Sequence, residues 1–250
     1  MKHYFNLYSS SDEWGEIHVI SDGECNFLTF GHGGQQSGMQ LLAPDRLLFQ
    51  YTQAMMLAMV FKPNAGTALL LGLGAGSLAK ALLKASDEIT LHAIELRQSV
   101  IEVAHNWFEL PFDDRLDIEH NDAFAYVAHC KAQYELLFVD LYLDEGLQTT
   151  LADHSFINHC YRSLEDEGVL IINLWDEGKG YVAFDLQQLE AVFQSRALTL
   201  VTDEGNIIVL IAKQLQLNPL PRNVQNEVKA LGSKLDIPLP QLFNQLQLRH

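Results

Sequence analysis

Apolar runs and helical segments alternate along residues 65–215, and this alternation restricts the fold more than any other feature of the chain. The run TALLLGLG, for example, is followed by the helical segment SLAKALLKA, and YELLFVDL is followed by HSFINHCYRSL. Strands that are buried on both faces and separated by helices form a parallel sheet covered by helices on each side. The sequence therefore predicts a Rossmann-like α/β domain over 65–215.

The patterns ALTLVTD and NIIVLIAKQ close this segment, and a short turn around Glu204-Gly205 joins them. So short a connection does not allow a parallel crossover, and we expect the last of seven strands to run antiparallel. Short strands broken by glycine turns predict a small β domain over 1–43, and helical spacing predicts a connecting helix over 44–64. Amphipathic stretches predict a C-terminal helical extension over 216–250, which packs against the sheet domain or forms a lid or a dimer contact.

The charge of the chain disfavours some classes of partner. The sequence has 32 Asp and Glu against 16 Lys and Arg, a net charge of −16, whereas nucleic acid and anionic membranes attract basic surfaces. The first residues lack the apolar run of a signal peptide, and the longest apolar run, Ala54–Phe61, is too short to span a bilayer. The cysteines form no CxxC pair and the histidines no HExxH motif, so no metal site is predicted. Because the net charge is acidic and the chain shows neither a signal-peptide run nor an apolar run long enough to span a bilayer, we expect a cytoplasmic protein with no nucleic-acid or membrane partner.

A glycine-rich turn follows the first strand of the 65–215 segment. Gly72, Gly74 and Gly76 precede a helical pattern, and Glu95 ends the next strand, nineteen residues after Gly76. Glycines let a ligand approach the backbone, and a carboxylate at this distance accepts hydrogen bonds from ribose hydroxyls. A dinucleotide motif would require a third glycine at position 77, where the chain has Ser77. The spacing therefore favours a nucleoside without a pyrophosphate over a dinucleotide.

Two further acidic residues stand at the ends of later strands. Asp122, in HNDAF, is placed to accept a hydrogen bond from the exocyclic amine of adenine, with Ala123 beside the ring, and Asp140 ends the strand LLFVDL. The carboxyl ends of parallel strands form one edge of the sheet, so we expect both carboxylates to meet the glycine turn there. The alternative for Glu95 and Asp122 is an ordinary helix N-cap or a surface acid, and for Asp140 it is a cap of the next helix or a bond to the glycine turn.

Together these features resemble the spermidine synthase (polyamine aminopropyltransferase) family. The resemblance rests on the G-x-G-x-G turn, Glu95, the NDA and LLFVDL sequences, and the segment WGEIHVISDGECNFLTFGHGGQQSGM that precedes YTQAM, and it covers most of 15–215. It implies the class I methyltransferase fold, a seven-stranded sheet with an antiparallel last strand, together with a small N-terminal β domain. It also implies aminopropyl transfer from decarboxylated S-adenosylmethionine to an amine such as putrescine, and a homodimer.

The resemblance further implies roles for individual residues. Asp140 would be the catalytic base, because an alkylamine with a pKa of about 10 must lose a proton to attack the sulfonium. Tyr51 would line the amine pocket. The donor would contact a donor-binding set that consists of Gln36, Gly72, Gly74, Ala75, Gly76, Glu95, Leu96, Asp122 and Ala123.

Other pocket residues are predicted from their positions near strand ends. Tyr142 and Trp175 are expected to wall the amine pocket, and their ring faces attract a cation. Asp144 or Glu145 is expected to hold a distal amine. The alternative is packing for Trp175 and solvent exposure for the two loop acids.

The chain departs from the family pattern at the turn and at the amine loop. The usual turn is G-G-G-D-G, whose aspartate contacts the donor amine, and Ala75 occupies that position here. The usual D-S-S-D-P-x-G-P loop is replaced by DLYLDEGLQTT, in which Asp140 and Asp144 lie one residue further apart. A turn without the aspartate would tolerate the carboxylate of ordinary S-adenosylmethionine, so a methyltransferase is the alternative enzyme. The alternative of another class is a non-catalytic nucleoside-binding or interaction protein.

Overall fold

The computed structural model describes residues 3–31, 34–141, 154–175, 186–217 and 224–248. Within these residues the N-terminal part forms an antiparallel meander of four strands in chain order. The strands are β1 (Phe5–Asp12), β2 (Gly15–Ser21), β3 (Cys25–Phe30) and β4 (Gln35–Gln40). The predicted N-terminal β domain is thereby confirmed.

The large sheet contains the predicted alternating strands. They are β5 (Thr67–Leu71), β6 (Thr90–Glu95), β7 (Leu116–His120), β8 (Tyr134–Val139), β9 (Leu164–Trp175), β10 (Leu198–Val201) and β11 (Asn206–Ala212). Strands β7, β6, β5, β8 and β9 are neighbours in that order and run parallel. Strand β11 lies antiparallel beside β9, and β10 lies antiparallel beside β11. This topology confirms the Rossmann-like α/β fold with an antiparallel last strand.

An eighth strand extends this sheet beyond the seven predicted. Strand β12 (Gln247–Leu248) pairs antiparallel with β10, so that Leu248 lies opposite Leu198 and Gln247 opposite Thr199. The prediction treated the C-terminal segment as helical. Two residues carry too little of an alternating pattern to reveal a strand, and pairing here satisfies backbone groups that the edge of β10 would otherwise leave open.

Helices cover both faces of the large sheet. Within the described ranges they are α1 (Gln50–Met55), α2 (Leu57–Phe61), α3 (Ser77–Ala85), α4 (Gln98–Trp107), α5 (Ala123–His129), α6 (His154–Arg162), α7 (Leu186–Phe193), α8 (Val224–Leu235) and α9 (Leu239–Phe243). In β5, Leu70 packs on the side of α1, α2, α3 and α8, whereas Leu69 and Leu71 pack on the side of α5, α6 and α7. The apolar run of β5 is therefore buried on both faces. None of the helices in the described part of the chain is both long and apolar enough to cross a membrane.

The connecting segment and the C-terminal extension differ in detail from the prediction. Helix formation in 44–64 starts at Gln50 rather than Pro44, and Met56 divides it into α1 and α2. Phe49 is extended, with a ψ of 141°, so the chain that precedes it cannot continue the helix. Helix α8 packs against α2 and α3, and α9 packs against α1 and α8. The boundaries of the domains stay a prediction.

Candidate active site

A cavity of about 500 Å³ lies at the carboxyl ends of β5, β6 and β8. Its wall also includes the start of β4 and the N-terminal end of α1. The predicted site residues that line it are Gln36, Tyr51, Gly72, Gly74, Glu95, Leu96, Asp122, Ala123 and Asp140. The structure therefore brings most of the predicted site together in one place, as the edge of a parallel sheet favours.

Glu95 ties the glycine turn to the end of β6. Its Oε2 accepts hydrogen bonds from the backbone N–H groups of Leu73 at 3.0 Å and Gly74 at 3.4 Å, and its Oε1 accepts one from Arg97 N–H at 3.0 Å. Burial raises the pKa of Glu95, and these three hydrogen bonds oppose the rise. A carboxylate has about four acceptor sites, so Oε1 keeps one for a ligand hydroxyl.

Gly72 allows the ends of β5 and β8 to approach each other. Its φ of 92° lies in the left-handed region, and a Cβ at this position would overlap the backbone carbonyl oxygen of Asp140. Asp140 N–H in turn donates to the carbonyl oxygen of Leu71 at 2.9 Å. The first glycine of the turn therefore makes room for the Asp140 backbone, which sets the carboxylate beside the turn.

The Asp140 carboxylate accepts a hydrogen bond from the first of two linked side-chain amides. Asn173 Nδ2 donates to Asp140 Oδ1 at 2.9 Å, and Asn206 Nδ2 donates to Asn173 Oδ1 at 2.9 Å. Burial raises the pKa of Asp140 to about 6; the Asn173 hydrogen bond lowers it, and the negative charge of Glu95 raises it. A carboxyl group with this pKa is mostly ionised at pH 7 and binds a proton more readily than an ordinary aspartate.

Asp122 has the N-cap role that the sequence left open. Its Oδ1 accepts a hydrogen bond from Ala125 N–H at 2.8 Å, which caps α5. It also lines the cavity next to Ala123. A capping carboxylate retains further acceptor sites, so the cap and a contact with a ligand amine are compatible.

Two members of the predicted donor-binding set, Ala75 and Gly76, do not line the cavity. Ala75 is completely buried and packs in a cluster that contains Val19 of β2 and Val103 of α4. Gly76 has a φ of 76°, and a Cβ there would lie 2.6 Å from Leu110 Cδ1. The glycine at position 76 is therefore explained by backbone conformation and packing. A motif gives the spacing of a turn but not the direction in which each residue faces.

Strand β4 and helix α1 contribute Gln36 and Tyr51 to the cavity. The Tyr51 hydroxyl donates to the backbone oxygen of Gln36 at 3.1 Å, which links α1 to β4. Burial raises the pKa of Tyr51 well above its ordinary value, and the negative charges of Asp140 and Glu204 raise it further. Tyr51 is therefore a neutral phenol that lies within the electrostatic reach of both carboxylates.

Several residues that line the cavity were not predicted from the sequence, among them the polar residues Asn173, Glu204 and Asn206. Glu204 lies in the turn between β10 and β11, where its Oε1 accepts from Gln50 N–H at 3.0 Å and its Oε2 from Tyr51 N–H at 3.2 Å. A polar residue inside the apolar run GVLIINLW was the one available signal for Asn173. No local pattern pointed to the other two.

The charged side chains that line the cavity in the described residues are mainly acidic: Glu95, Asp122, Asp140 and Glu204, with Arg97 as the one cation. The charge of Arg97 is already paired with Asp12, because its Nη2 donates to Asp12 Oδ1 at 2.8 Å and its Nε to Asp12 Oδ2 at 3.0 Å. Arg97 Nη2 also donates to the carbonyl oxygen of Gly15 at 2.9 Å, which attaches the β1–β2 hairpin to the end of β6. The cavity therefore favours a cationic ligand.

Three predicted residues, Tyr142, Asp144 and Glu145, lie outside the described residues. Trp175 ends β9, and its side chain is likewise outside what the structure describes. Their contacts with a substrate stay predictions. In the part of the chain that is described, no group of three or more His, Cys, Asp or Glu side chains is arranged to hold a metal ion.

Comparisons with known proteins relate most of the chain to one family. The sequence model of the spermine/spermidine synthase domain matches residues 48–214. A polyamine aminopropyltransferase of Neisseria meningitidis is 28% identical over 237 residues, which cover 93% of this chain and 88% of that protein. One of Chromobacterium violaceum is 30% identical over 203 residues, which cover 80% of this chain and 77% of that protein. A crystal structure of spermidine synthase in complex with the transition-state analogue AdoDATO has a TM-score of 0.77 at 18% identity, covering 98% of this chain and 85% of that one, a likeness of fold.

Proposed function

The chain belongs to the spermine/spermidine synthase family, and from this premise we propose that it is a polyamine aminopropyltransferase. The reaction moves an aminopropyl group from decarboxylated S-adenosylmethionine, a sulfonium donor, to an amine such as putrescine. The observation that carries the proposal is the half-buried Asp140 carboxylate beside the glycine turn, in a cavity whose charged walls are mainly acidic. The donor and a protonated amine are both cations, which such a cavity attracts.

The donor lies against the glycine turn in this proposal. Gly72 and Gly74 offer backbone without a side chain, and Glu95 accepts a hydrogen bond from a ribose hydroxyl. The adenine amine donates to Asp122, and the ring and its surroundings contact a further set: Gln36, Leu96 and Ala123. Two observations support these roles: the residues share one cavity, and ligands of Rossmann-like folds bind at the carboxyl ends of the strands.

Asp140 is the catalytic base. The amine nitrogen attacks the carbon of the aminopropyl group that is attached to sulfur, and the new C–N bond forms as the bond between that carbon and sulfur breaks. The sulfur keeps the bonding electrons and leaves as neutral methylthioadenosine. Asp140 accepts the proton that the nitrogen loses and later releases it to solvent. The remaining contribution of the protein is alignment, because the sulfonium is already activated.

Methyl transfer is the second candidate. The turn residues that line the cavity, Gly72, Leu73 and Gly74, bring no carboxylate that would repel the carboxylate of ordinary S-adenosylmethionine. In the third candidate, the protein binds the nucleoside without turnover.

One incubation separates the three candidates. The purified protein is mixed with putrescine and either decarboxylated or ordinary S-adenosylmethionine, and the products are identified by mass spectrometry. Methylthioadenosine and spermidine are expected from the decarboxylated donor, whereas S-adenosylhomocysteine would indicate the methyltransferase. Binding of methylthioadenosine without either product would indicate the non-catalytic protein.

We further propose that the protein is a cytoplasmic homodimer that binds neither nucleic acid nor membranes. The net charge of −16 supports the absence of anionic partners. The family resemblance supports a dimer, as do exposed apolar side chains in the β1–β2 hairpin, where Phe5 is 62% and Trp14 48% exposed. Sedimentation velocity measures the oligomeric state. A protein that stays monomeric as its concentration is raised would contradict the dimer.

A further inference from the structure

We propose that Glu204 holds the distal ammonium group of a diamine acceptor, while the reacting end of the diamine lies at Asp140. This inference rests on the proposed function and adds to it a residue that selects the acceptor. Both nitrogens of a diamine are protonated in water at neutral pH, so the end that does not react brings a positive charge into the cavity. That charge needs an anionic contact at a distance from the catalytic base.

Glu204 differs from the other carboxylates of the described cavity in its place. Glu95 accepts two hydrogen bonds from the glycine turn and one from Arg97 N–H, and Asp122 caps α5 beside it. Both belong to the part of the cavity assigned to the donor, and Asp140 is the proposed base. Glu204 lies instead on the β10–β11 turn, next to the N-terminal end of α1. Among the described carboxylates of the cavity it is the one left for a second ammonium group.

A short hydrogen-bonded path separates Glu204 from Asp140. Glu204 precedes Asn206 by two residues, and Asn206 donates to Asn173, which donates to Asp140. Strands β11, β9 and β8 are neighbours, so two strand spacings set their ends about 10 Å apart. The two carboxylates therefore occupy separate positions along one wall, as an extended molecule charged at both ends requires.

The turn that carries Glu204 is held in place by α1. Asp203 N–H donates to Gln50 Oε1 at 2.6 Å, and Gln50 Nε2 donates back to Asp203 Oδ2 at 3.1 Å. Glu204 accepts from two backbone N–H groups of the same helix. Two of its roughly four acceptor sites are thus used, and the others can accept from an ammonium group. The carboxylate is oriented before any substrate binds, which reduces the entropy that binding must overcome.

Aromatic side chains suit the methylene chain between the two charges. The rings of Phe49 and Tyr51 stack with their centroids 6.0 Å apart and their planes at 17°, and both residues line the cavity. Tyr51 N–H donates to Glu204 Oε2 at 3.2 Å, and Tyr51 lines the same cavity as Asp140. An aromatic surface contacts apolar methylene groups, and its face attracts an ammonium group.

Calorimetric binding of butane-1,4-diamine and of butylamine, each to protein saturated with methylthioadenosine, tests the inference. The wild-type protein is expected to bind the diamine about tenfold more tightly, the low end for a charge-assisted hydrogen bond, because Glu204 is exposed. Glu204→Gln removes the charge but keeps an acceptor for α1. It should therefore weaken binding of the diamine about tenfold and leave the affinity for butylamine unchanged. Asp203→Asn, in the same turn, is the matched control and should keep the preference for the diamine.

Equal weakening of both amines by Glu204→Gln would overturn the inference, because it indicates a purely structural contact with α1. An unchanged preference, or no preference in the wild-type protein, would overturn it as well. Turnover of the diamine with decarboxylated S-adenosylmethionine is measured in parallel. A protein that forms methylthioadenosine but is indifferent to Glu204→Gln refutes the inference alone, whereas one that binds the diamine through Glu204 without forming product refutes the proposed function.

Discussion

Replacing Asn173 by leucine removes the hydrogen bond that Asn173 donates to Asp140 at 2.9 Å and keeps a side chain of similar size. A hydrogen bond to a charged group contributes about 1.5–3 kcal/mol, and one pKa unit corresponds to about 1.4 kcal/mol. The pKa of Asp140, about 6 in the wild-type protein, is therefore expected to rise by about 1 to 2 units. At pH 7 the ionised fraction of Asp140 falls from about nine-tenths to between about one-half and one-tenth.

The assay is the pH dependence of kcat/KM for formation of methylthioadenosine. Only the ionised carboxylate accepts the proton of the amine, so the acidic limb of the profile should move upward by about 1 to 2 pH units, with near wild-type activity at alkaline pH. Asn206→Leu should cause a smaller shift in the same direction, because it removes only the bond that orients the Asn173 amide. Asn158→Leu removes an amide that donates to the backbone of His154 in α6, and as the matched control it should cause no shift.

An acidic limb that stays in its wild-type position in Asn173→Leu would refute this reasoning. A loss of activity by the same factor at every pH would likewise indicate a displaced carboxylate rather than a changed proton affinity. Thermal unfolding of the variants, followed by circular dichroism, shows whether the fold is retained in each case.

Glu95→Ala should weaken methylthioadenosine binding at least about tenfold, because a ribose acceptor and the support of the glycine turn are lost together; calorimetric titration measures this, and unchanged affinity would contradict it. Asp140→Asn should abolish turnover with little change in nucleoside affinity, and a variant that still turns over would remove Asp140 from the mechanism. Folding raises the pKa of Asp140 from 3.8 to about 6, so its contribution to stability is full below the lower value and is lost as the pH rises through the higher one. The free energy of unfolding in urea, taken as Asp140→Asn minus wild type, should therefore be about 1–3 kcal/mol more favourable to the variant at pH 7 than at pH 4. A parallel pH dependence of the two proteins would contradict this. Gly76→Ala should lower the free energy of unfolding by about 1–3 kcal/mol, because position 76 has a φ of 76° and a Cβ there contacts Leu110. Leu110→Ala should destabilise the Gly76→Ala variant less than it destabilises the wild-type protein, and strictly additive losses would exclude that contact.

The large sheet and its acidic edge were predictable because both follow from connectivity. Parallel strands joined by helices bring every carboxyl end to one edge, whatever the intervening loops do. Glu95, Asp122 and Asp140 each lie at the carboxyl end of such a strand, and all three line the same cavity. The antiparallel last strand was predictable for a similar reason, since the turn at Glu204-Gly205 is too short for any other connection.

The residues that escaped prediction reach the cavity by tertiary contacts without a local signature. Asn173 and Glu204 are both distant from the glycine turn in the sequence, and no spacing rule connects either of them to it. The direction of Ala75 depends on how β2 and α4 pack against the turn, and the need for glycine at position 76 depends on Leu110. These are properties of packed surfaces, which the order of residues along the chain does not display.

Arg97 makes the small sheet and the nucleoside turn a single mechanical unit. Its backbone N–H is bonded to the carboxylate of Glu95, and its guanidinium is bonded to Asp12 and Gly15 in the hairpin. Tilting the hairpin would draw the guanidinium with it and pull the one carboxylate on which the turn depends. Moving the small sheet relative to the glycine turn therefore costs these hydrogen bonds. We expect the small sheet to form a fixed wall of the cavity.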